Sequence, residues 1–389
     1  MSSTYVALWA DLSAPTVILG ELPVESLQWS KWHNAPGAWS VALPLDPFGD
    51  VAKRTPVQVR PSLHYDANET IGVGSLYLER PRSAISARAI AKTMFSPENF
   101  AEARTVVYLE RDDVLVSAGI VWGISVNPEG HTMTAMGEGF LSYFRRRTIQ
   151  TTLSYTATDQ DTIARGLIDP AQSIGGGDIG VVTSANPHGV LRDRTWQAHE
   201  AKNLGEALEQ LAAVESGFTF DFVPAYGPSG DPQVTFTTRY PPTGRATSID
   251  FEHEANCVIV DYAGDGSAVA NQAKALGGGY GYEVLSSVVS APLAGRPLLE
   301  TVTTHPQVSR ANTLAEHASH AQARGSKPAA SIAAMVYPGA APDIGSFVIG
   351  DRCTVSADQG WLQLDRAPYR IVGHEVNVTN DGEVSVVSP

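Results

Sequence analysis

Residues 175–180, Gly-Gly-Gly-Asp-Ile-Gly, have the G-x-G-x-x-G spacing of a dinucleotide-binding turn. That turn works when a strand feeds it and a helix follows, so that backbone N–H groups and the helix N-terminus meet a pyrophosphate. Here a helix-like segment comes first, and Val181-Val182-Thr183, then Pro187, come after. The order is reversed, and the stretch reads as a flexible loop. Gly277-Gly278-Gly279-Tyr280-Gly281 fails in the same way, and neither loop carries the Gly-Lys-Ser/Thr of a phosphate loop. His199-Glu200, His253-Glu254 and His374-Glu375 each lack the second histidine of a zinc-protease helix. His317 and His320 sit i,i+3 on a probable helix, with Glu316 adjacent and His305 upstream. They could contribute to a metal site with help from elsewhere; solvated helix residues are the plainer reading. No G-x-S-x-G nucleophile turn occurs. Cys257 and Cys353 lie in apolar, alternating segments and read as small buried strand residues, with a disulfide between them left open. Glycosidase-type carboxylate pairs are not legible in a sequence, because their partners lie far apart in the chain. No catalytic, cofactor or metal site is expected, and the chain reads as non-enzymatic. Arg145-Arg146-Arg147 is the one dense basic cluster. It reads either as a solvated strand exit or as a contact to an acidic partner or to DNA phosphate.

The elements that would carry these residues are mostly strands. Charged residues make up 17% of the 389-residue chain, well below the usual share, while Gly (35) and Pro (25) supply many turns. A net charge of −14 argues against the basic footprint of a nucleic-acid-binding protein. It leaves room for an acidic pore wall along which DNA slides without sticking. No Lys or Arg precedes Lys31 and no apolar h-region follows the start, so no signal peptide is expected. No run reaches the ~18 apolar residues of a membrane span, so no membrane anchor is expected. Synthesis in the cytoplasm follows.

Alternation predicts strands at 16–22, 24–32, 38–45 and 56–64, with Asn34-Ala35-Pro36-Gly37 as a turn. Trp29, Trp32 and Trp39 read as core or interface packing, with a sugar-stacking platform as the sharper alternative. Residues 80–104 are Ala-rich and basic and read as an insertion. From 105 to 147 the chain forms a strand meander, turning at Arg111-Asp112-Asp113 and at Asn127-Pro128-Glu129-Gly130. Thr158 is placed to cap a helix over 159–168. Asn203-Leu204-Gly205-Glu206 has the shape of a capping box, opening a helix that Gly217 would end. A strand pair follows, over FTFDFVP and QVTFTTRY. Strands resume at NCVIVDYAG and 283–290, a helical stretch covers 309–324, and the chain closes on strands with a hairpin at Asp381-Gly382. The expected fold is mainly β with an α+β middle. Its domains are 1–150 (with the 80–104 insertion), a mixed α/β domain at 151–250, and 251–389 with a helical insertion near 309–325.

Several segments together resemble the minor tail proteins of long-tailed phages that infect actinobacteria, within the baseplate hub or tail-tip family. They are GELPVESLQWSKWHNAPGAWSVALPLD (20–46), VYLERDDVLVSAGIVWGI and GEGFLSYFRRRTI within 105–149, NLGEALEQLAAVESGFTFDF (203–222), and IGDRCTVSADQGWLQLDRAPYRIVGHEVNV (349–378). Each is short and none carries chemistry, so the specificity lies in their order. The resemblance implies a homotrimer whose subunits each carry two tail-tube-like β-barrel domains, here 1–150 and the strands of 251–389. Three subunits then present six barrels to a six-fold tube. It implies a virion protein at the tail tip that forms part of the DNA ejection channel without sequence-specific nucleic-acid binding. The implied partners are the distal tail protein or tail tube, the tape-measure protein, and tail fibre or receptor-binding proteins. A cell-wall-active or glycan-binding tail protein is the alternative.

Overall fold

The computed structural model describes residues 3–45 and 99–388, apart from 215, 243–245, 293, 307, 309, 338, 380 and 381. The strand expected at 56–64 and residues 80–98 of the expected insertion lie outside the described residues.

The first strands are β1 (Tyr5–Asp11), β2 (Ile18–Leu22), β3 (Ser26–Trp32), β4 (Ala38–Pro44), β5 (Thr105–Arg111), β6 (Val114–Asn127) and β7 (Thr132–Glu138). The middle holds α1 (Leu141–Phe144), β8 (Leu153–Asp159), α2 (Gln160–Gln172), β9 (Val181–Thr183), β10 (Leu191–Trp196), α3 (Leu204–Ala212), β11 (Thr219–Tyr226), β12 (Pro232–Arg239) and β13 (Ala246–Glu252). The rest comprises β14 (Cys257–Asp265), β15 (Gln272–Leu276), β16 (Ser286–Ser290), β17 (Glu300–Thr304), α4 (Ala311–Gly325), β18 (Ala329–Val336), β19 (Arg352–Gln359), β20 (Leu362–Arg370), β21 (Gly373–Thr379) and β22 (Gly382–Ser388). The fold is mainly β with an α+β middle, as the alternation and turn chemistry predict.

The barrels are drawn differently from the expectation. One 11-stranded sheet runs β14-β18-β22-β21-β3-β4-β7-β6-β5-β1-β2, and among the described residues no closed barrel forms. The two chain ends share this sheet because β21 pairs antiparallel with β3, Val376 opposite Trp29. The chain divides into two compact units, Met1–Val258 with Ala334–Pro389, and Ile259–Ala333. The expected 251–389 domain is thus split. Its C-terminal strands extend the N-terminal sheet, and the boundaries of the second unit fall inside β14 and β18.

The centre of the large sheet is buried on both faces, and the sequence shows why. Successive strand residues point to opposite sides, so a strand covered on both reads as an unbroken apolar run. In β1, Val6, Leu8 and Ala10 enter one core while Ala7 and Trp9 enter another. In β5, Val106 and Tyr108 divide from Val107 and Leu109 in the same way. The first core continues into the helices through Phe144, Ile163, Leu167, Leu208 and Leu211. The second gathers Trp9, Trp29, Trp39, Leu43 and Phe100, with Trp9 edge-on to Phe100 at 5.7 Å between ring centroids. Trp29 and Trp39 are therefore core residues.

Trp39 lies in a slot that two glycines open. A Cβ at Gly119 would stand 2.2 Å from its indole nitrogen, and one at Gly137 would stand 1.9 Å from the Ile120 carbonyl oxygen and 2.7 Å from the Trp39 ring. The ring and backbone are hemmed in by neighbouring strands, so the clash has no cheap relief. Gly137→Ala is expected to destabilise the protein by about 1–3 kcal/mol through overpacking. Urea denaturation followed by tryptophan fluorescence checks this; an unchanged midpoint would mean the slot is looser than drawn.

The meander turns as its residues dictate. Asp112 and Asp113 both take positive φ, 47° and 69°, the signature of a tight hairpin turn whose twist matches the strands. Asn127 caps the second turn by accepting the Gly130 N–H at 3.0 Å. Two helix ends differ from expectation. Asp159, not Thr158, caps α2, which runs on to Gln172 with Pro170 in its last turns. Asn203 caps α3 as expected, but the helix stops at Ala212 and Gly217 lies in the following turn.

Candidate interaction sites

The Arg145–Arg147 cluster follows α1, and each guanidinium meets a partner inside the chain. Arg145 donates to Glu209 of α3 from Nε (2.9 Å) and Nη2 (2.6 Å). Arg146 lies over the Trp122 ring at 3.8 Å from its centroid. Arg147 donates to the Tyr143 hydroxyl, and to the Ala171 carbonyl at the end of α2 at 2.9 Å. The cluster therefore braces the sheet exit against two helices. Exposed ion pairs and cation–π contacts are individually weak, so replacing all three with alanine is expected to lose about 1–3 kcal/mol. Chemical denaturation of the triple variant reads this directly. A midpoint equal to that of the parent would return the three to solvent.

Loop 173–180 runs from α2 into the short strand β9, so a helix precedes it and a strand follows. That is the reverse of a dinucleotide turn. Cys257 and Cys353 are buried, unlinked strand thiols, and burial pushes them up to about 11 and about 12. They sit far from the thiolate character that nucleophilic or metal chemistry uses.

In the second unit, α4 covers one face of the three-stranded sheet β16-β15-β17, burying Leu314 and Ala318 against Ala275. His305 and His317 stack with ring centroids 4.0 Å apart, which brings two of the sequence-flagged histidines together. Among the described residues, no group of three or more His, Cys, Asp or Glu side chains is placed to hold a metal. The loop before β16 displays Tyr280 and Tyr282, which are 92% and 109% exposed.

A constellation that the sequence did not flag joins α2 to β12 and the loop before β10. Asp159 accepts the N–H groups of Asp161 (2.9 Å), His188 (3.0 Å) and Gly189 (2.7 Å). Burial works against its charge, but these donors outweigh it and hold the carboxyl below the usual range. Asp161, fully buried, accepts the Thr238 hydroxyl (2.5 Å), Arg165 Nε (3.0 Å) and the Asn186 N–H (3.0 Å). Thr238 gives its one proton to Asp161, so the His188 Nε2 at 3.0 Å must donate to it. His188 Nδ1 then accepts from the Gln160 amide at 3.2 Å. Both ring nitrogens are satisfied in the neutral form. His188 is held below its ordinary value, by burial first and against the pull of Asp161 and Asp159. Thr238 is 2% exposed and already hydrogen-bonded, so this is a latch and not a nucleophile.

Three strands of the large sheet are also tied by charge. Arg111 donates from Nε to Glu383 at 3.0 Å, and Tyr5 donates its hydroxyl to the same carboxylate at 2.6 Å. β1, β5 and β22 are thereby joined through one partly buried network.

No known protein-family profile matches the sequence, and no curated protein sequence is similar to it. Solved structures do share its fold from end to end. The 43 kDa tail protein of prophage MuSo2 from Shewanella oneidensis is similar with a TM-score of 0.61 at 11% identity, over 98% of this chain and 97% of the other. A tail protein from Neisseria meningitidis MC58 is similar with a TM-score of 0.58 at 13% identity, over 99% and 96%. Prophage tail protein gp18 from Listeria monocytogenes EGD-e is similar with a TM-score of 0.55 at 10% identity, over 98% and 94%. The chain thus shares one fold with these three proteins over nearly the whole of each.

Proposed function

We propose that the chain is a structural, non-enzymatic subunit of a phage-type tail tip, a hub that joins the tail tube to the host-binding end. The observation that carries this reading is the likeness to prophage tail proteins over nearly the full length of both chains, at a TM-score of 0.61 for the Shewanella oneidensis protein. The resemblance of segments 20–46, 105–149, 203–222 and 349–378 points the same way, and adds actinobacterial siphophages as the source. On this reading the chain is a homotrimer in the virion. It lines part of the DNA ejection channel, and contacts the distal tail protein or tube, the tape-measure protein and receptor-binding proteins. Its net charge of −14 suits a wall that DNA passes without binding. Residues 151–250, with their α/β layer, are our proposed middle subdomain.

The test is its position and copy number in an intact particle by electron cryomicroscopy, with native mass spectrometry of the isolated chain. Three copies at the tail tip are expected. Absence from purified virions, or a strictly monomeric chain at high concentration, would overturn the reading. A glycan-binding role draws support from one observation, the exposed Tyr280 and Tyr282 at a loop tip. Glycan binding that disappears in the double Tyr→Ala variant would favour it.

A further inference from the structure

Sheet β16-β15-β17 of the second unit ends in two strands whose outer edges no other strand pairs among the described residues. An edge strand with bare N–H and C=O groups is a template for another chain, and soluble proteins guard such edges with Lys, Pro or a bulge. These two have no such guard. β16 reads Ser-Ser-Val-Val-Ser and β17 reads Glu-Thr-Val-Thr-Thr, and both pair with β15 in unbroken register. Helix α4 packs on one face of the sheet. On the other, Lys274 lies between Val288 and Val302 in one cross-strand row, and the two valines are 52% and 59% exposed. The next row is tied across the sheet: Ser290 donates to Gln272 at 2.8 Å, and Gln272 donates to Glu300 at 2.6 Å. The connection from β16 to β17 passes the start of β15, where the buried Asn271 donates to the Pro297 carbonyl and accepts the Leu299 N–H, each at 2.8 Å. The two edges are thus held in a fixed relation. Charge also sets this unit apart. Ile259–Ala333 carries five acidic and five basic side chains, so the net charge of −14 lies wholly in the first unit. Copies of the chain that meet through the first unit repel one another; through the second they do not.

We propose that β16 of one copy of this chain pairs with β17 of the next, so that the second units of successive copies form one continuous sheet. β16 runs antiparallel to β15 and β17 runs parallel to it. Rotation about an axis along the strands therefore brings the two edges together antiparallel, the more stable pairing. The exposed row that ends on Val302 continues into Val288 of the next copy, a β-branched cross-strand pair. The two edges are unlike, so the contact is head to tail, and it closes a ring instead of stopping at a pair. The inference rests on the homotrimer of the proposed function and names the surface that holds it together.

The experiment is native mass spectrometry and hydrogen exchange of the full chain, in the parent and in Val288→Lys, Val302→Lys and, as a control in the first unit, Val114→Lys. All three valines are exposed, so lysine fits the folded chain, and far-UV circular dichroism checks that it does. The parent is expected to be trimeric, with the amides of 286–290 and 300–304 exchanging more slowly in the assembly than in the dilute monomer. Each edge variant should raise the concentration for half-assembly at least tenfold, and Val114→Lys should leave it unchanged. Edge variants that assemble like the parent, with exchange at both strands indifferent to assembly, would overturn the inference and leave the trimer standing. A response to Val288→Lys alone would overturn it in favour of β16 pairing with itself in a dimer. Edge variants that fail to assemble, in a protein absent from virions, would support the inference against the tail-tip reading. A strictly monomeric parent would overturn both.

Discussion

Lowering the pH from 7 towards 4 is expected to destabilise the first unit steeply, with His374 as the main cause. His374 sits in β21 at the seam where the C-terminal strands join β3, 5% exposed and opposite Lys31 in register. Its ring stands edge-on to Trp29 and to Phe347, each at 5.0 Å between centroids, and its Nε2 is 2.9 Å from the Ser385 hydroxyl. Burial, then Lys31 and Arg111, push it down to about 3. A histidine depressed in the folded state stabilises that state fully above its unfolded value of about 6.5, and the contribution is lost as pH falls towards the folded value. Each pH unit below about 6.5 removes roughly 1.4 kcal/mol, so His374 alone accounts for about 2 kcal/mol by pH 5. His33, lowered to about 4 and tied to the same seam through Val372, acts in the same direction. Urea midpoints measured from pH 7 to 4 should fall continuously, and His374→Gln should flatten the slope. A pH-independent midpoint in the parent would refute the buried neutral histidine.

What was readable in the sequence follows from how local each signal is. The meander of β5 to β7 was legible because alternation has a period of two and its turns are written in adjacent residues. Asp112-Asp113 and Asn127-Pro128 set the reversals without help from the rest of the chain. The Asn203 cap was legible for the same reason: its acceptor reaches only to Glu206, at 3.0 Å. The sharing of one sheet by both chain ends was not. Val376 and Trp29 pair across the whole length of the chain, and nothing in either strand names the other. The resemblance implied two separate barrels, and nothing local could correct it, because local pattern marks a buried face without saying what buries it. The Arg145–Arg147 cluster was legible as a cluster only. Its partners Glu209, Trp122 and Ala171 come from elements that fold back onto it. His374 was visible as half of a His-Glu dipeptide, but its burial depends on Phe347 and Trp29, which the fold alone assembles.

The same limit hid Asp161, whose removal is expected to have the largest effect of any single side chain in the middle segment. As sequence, it is an ordinary acidic residue in the first turn of a helix, where the helix dipole favours it. As structure, it is a fully buried carboxylate bound to Thr238, 77 residues away, and to the Asn186 backbone. Asp161→Ala leaves the Arg165 guanidinium without its 3.0 Å partner, and the nearly buried Thr238 hydroxyl and the Asn186 N–H without theirs. Breaking a buried charged network by deleting one member costs about 3–5 kcal/mol, because the groups left behind stay desolvated. Asp161→Asn keeps the shape and one acceptor oxygen, and should recover about half of that loss. The two variants separate charge from packing. Hydrogen exchange should also report faster opening of residues 184–190, since that loop is pinned to α2 through Asp159 and Asp161. If Asp161→Ala shifts the denaturation midpoint by less than about 1 kcal/mol, solvent must reach the site, and the latch is weaker than its hydrogen bonds imply.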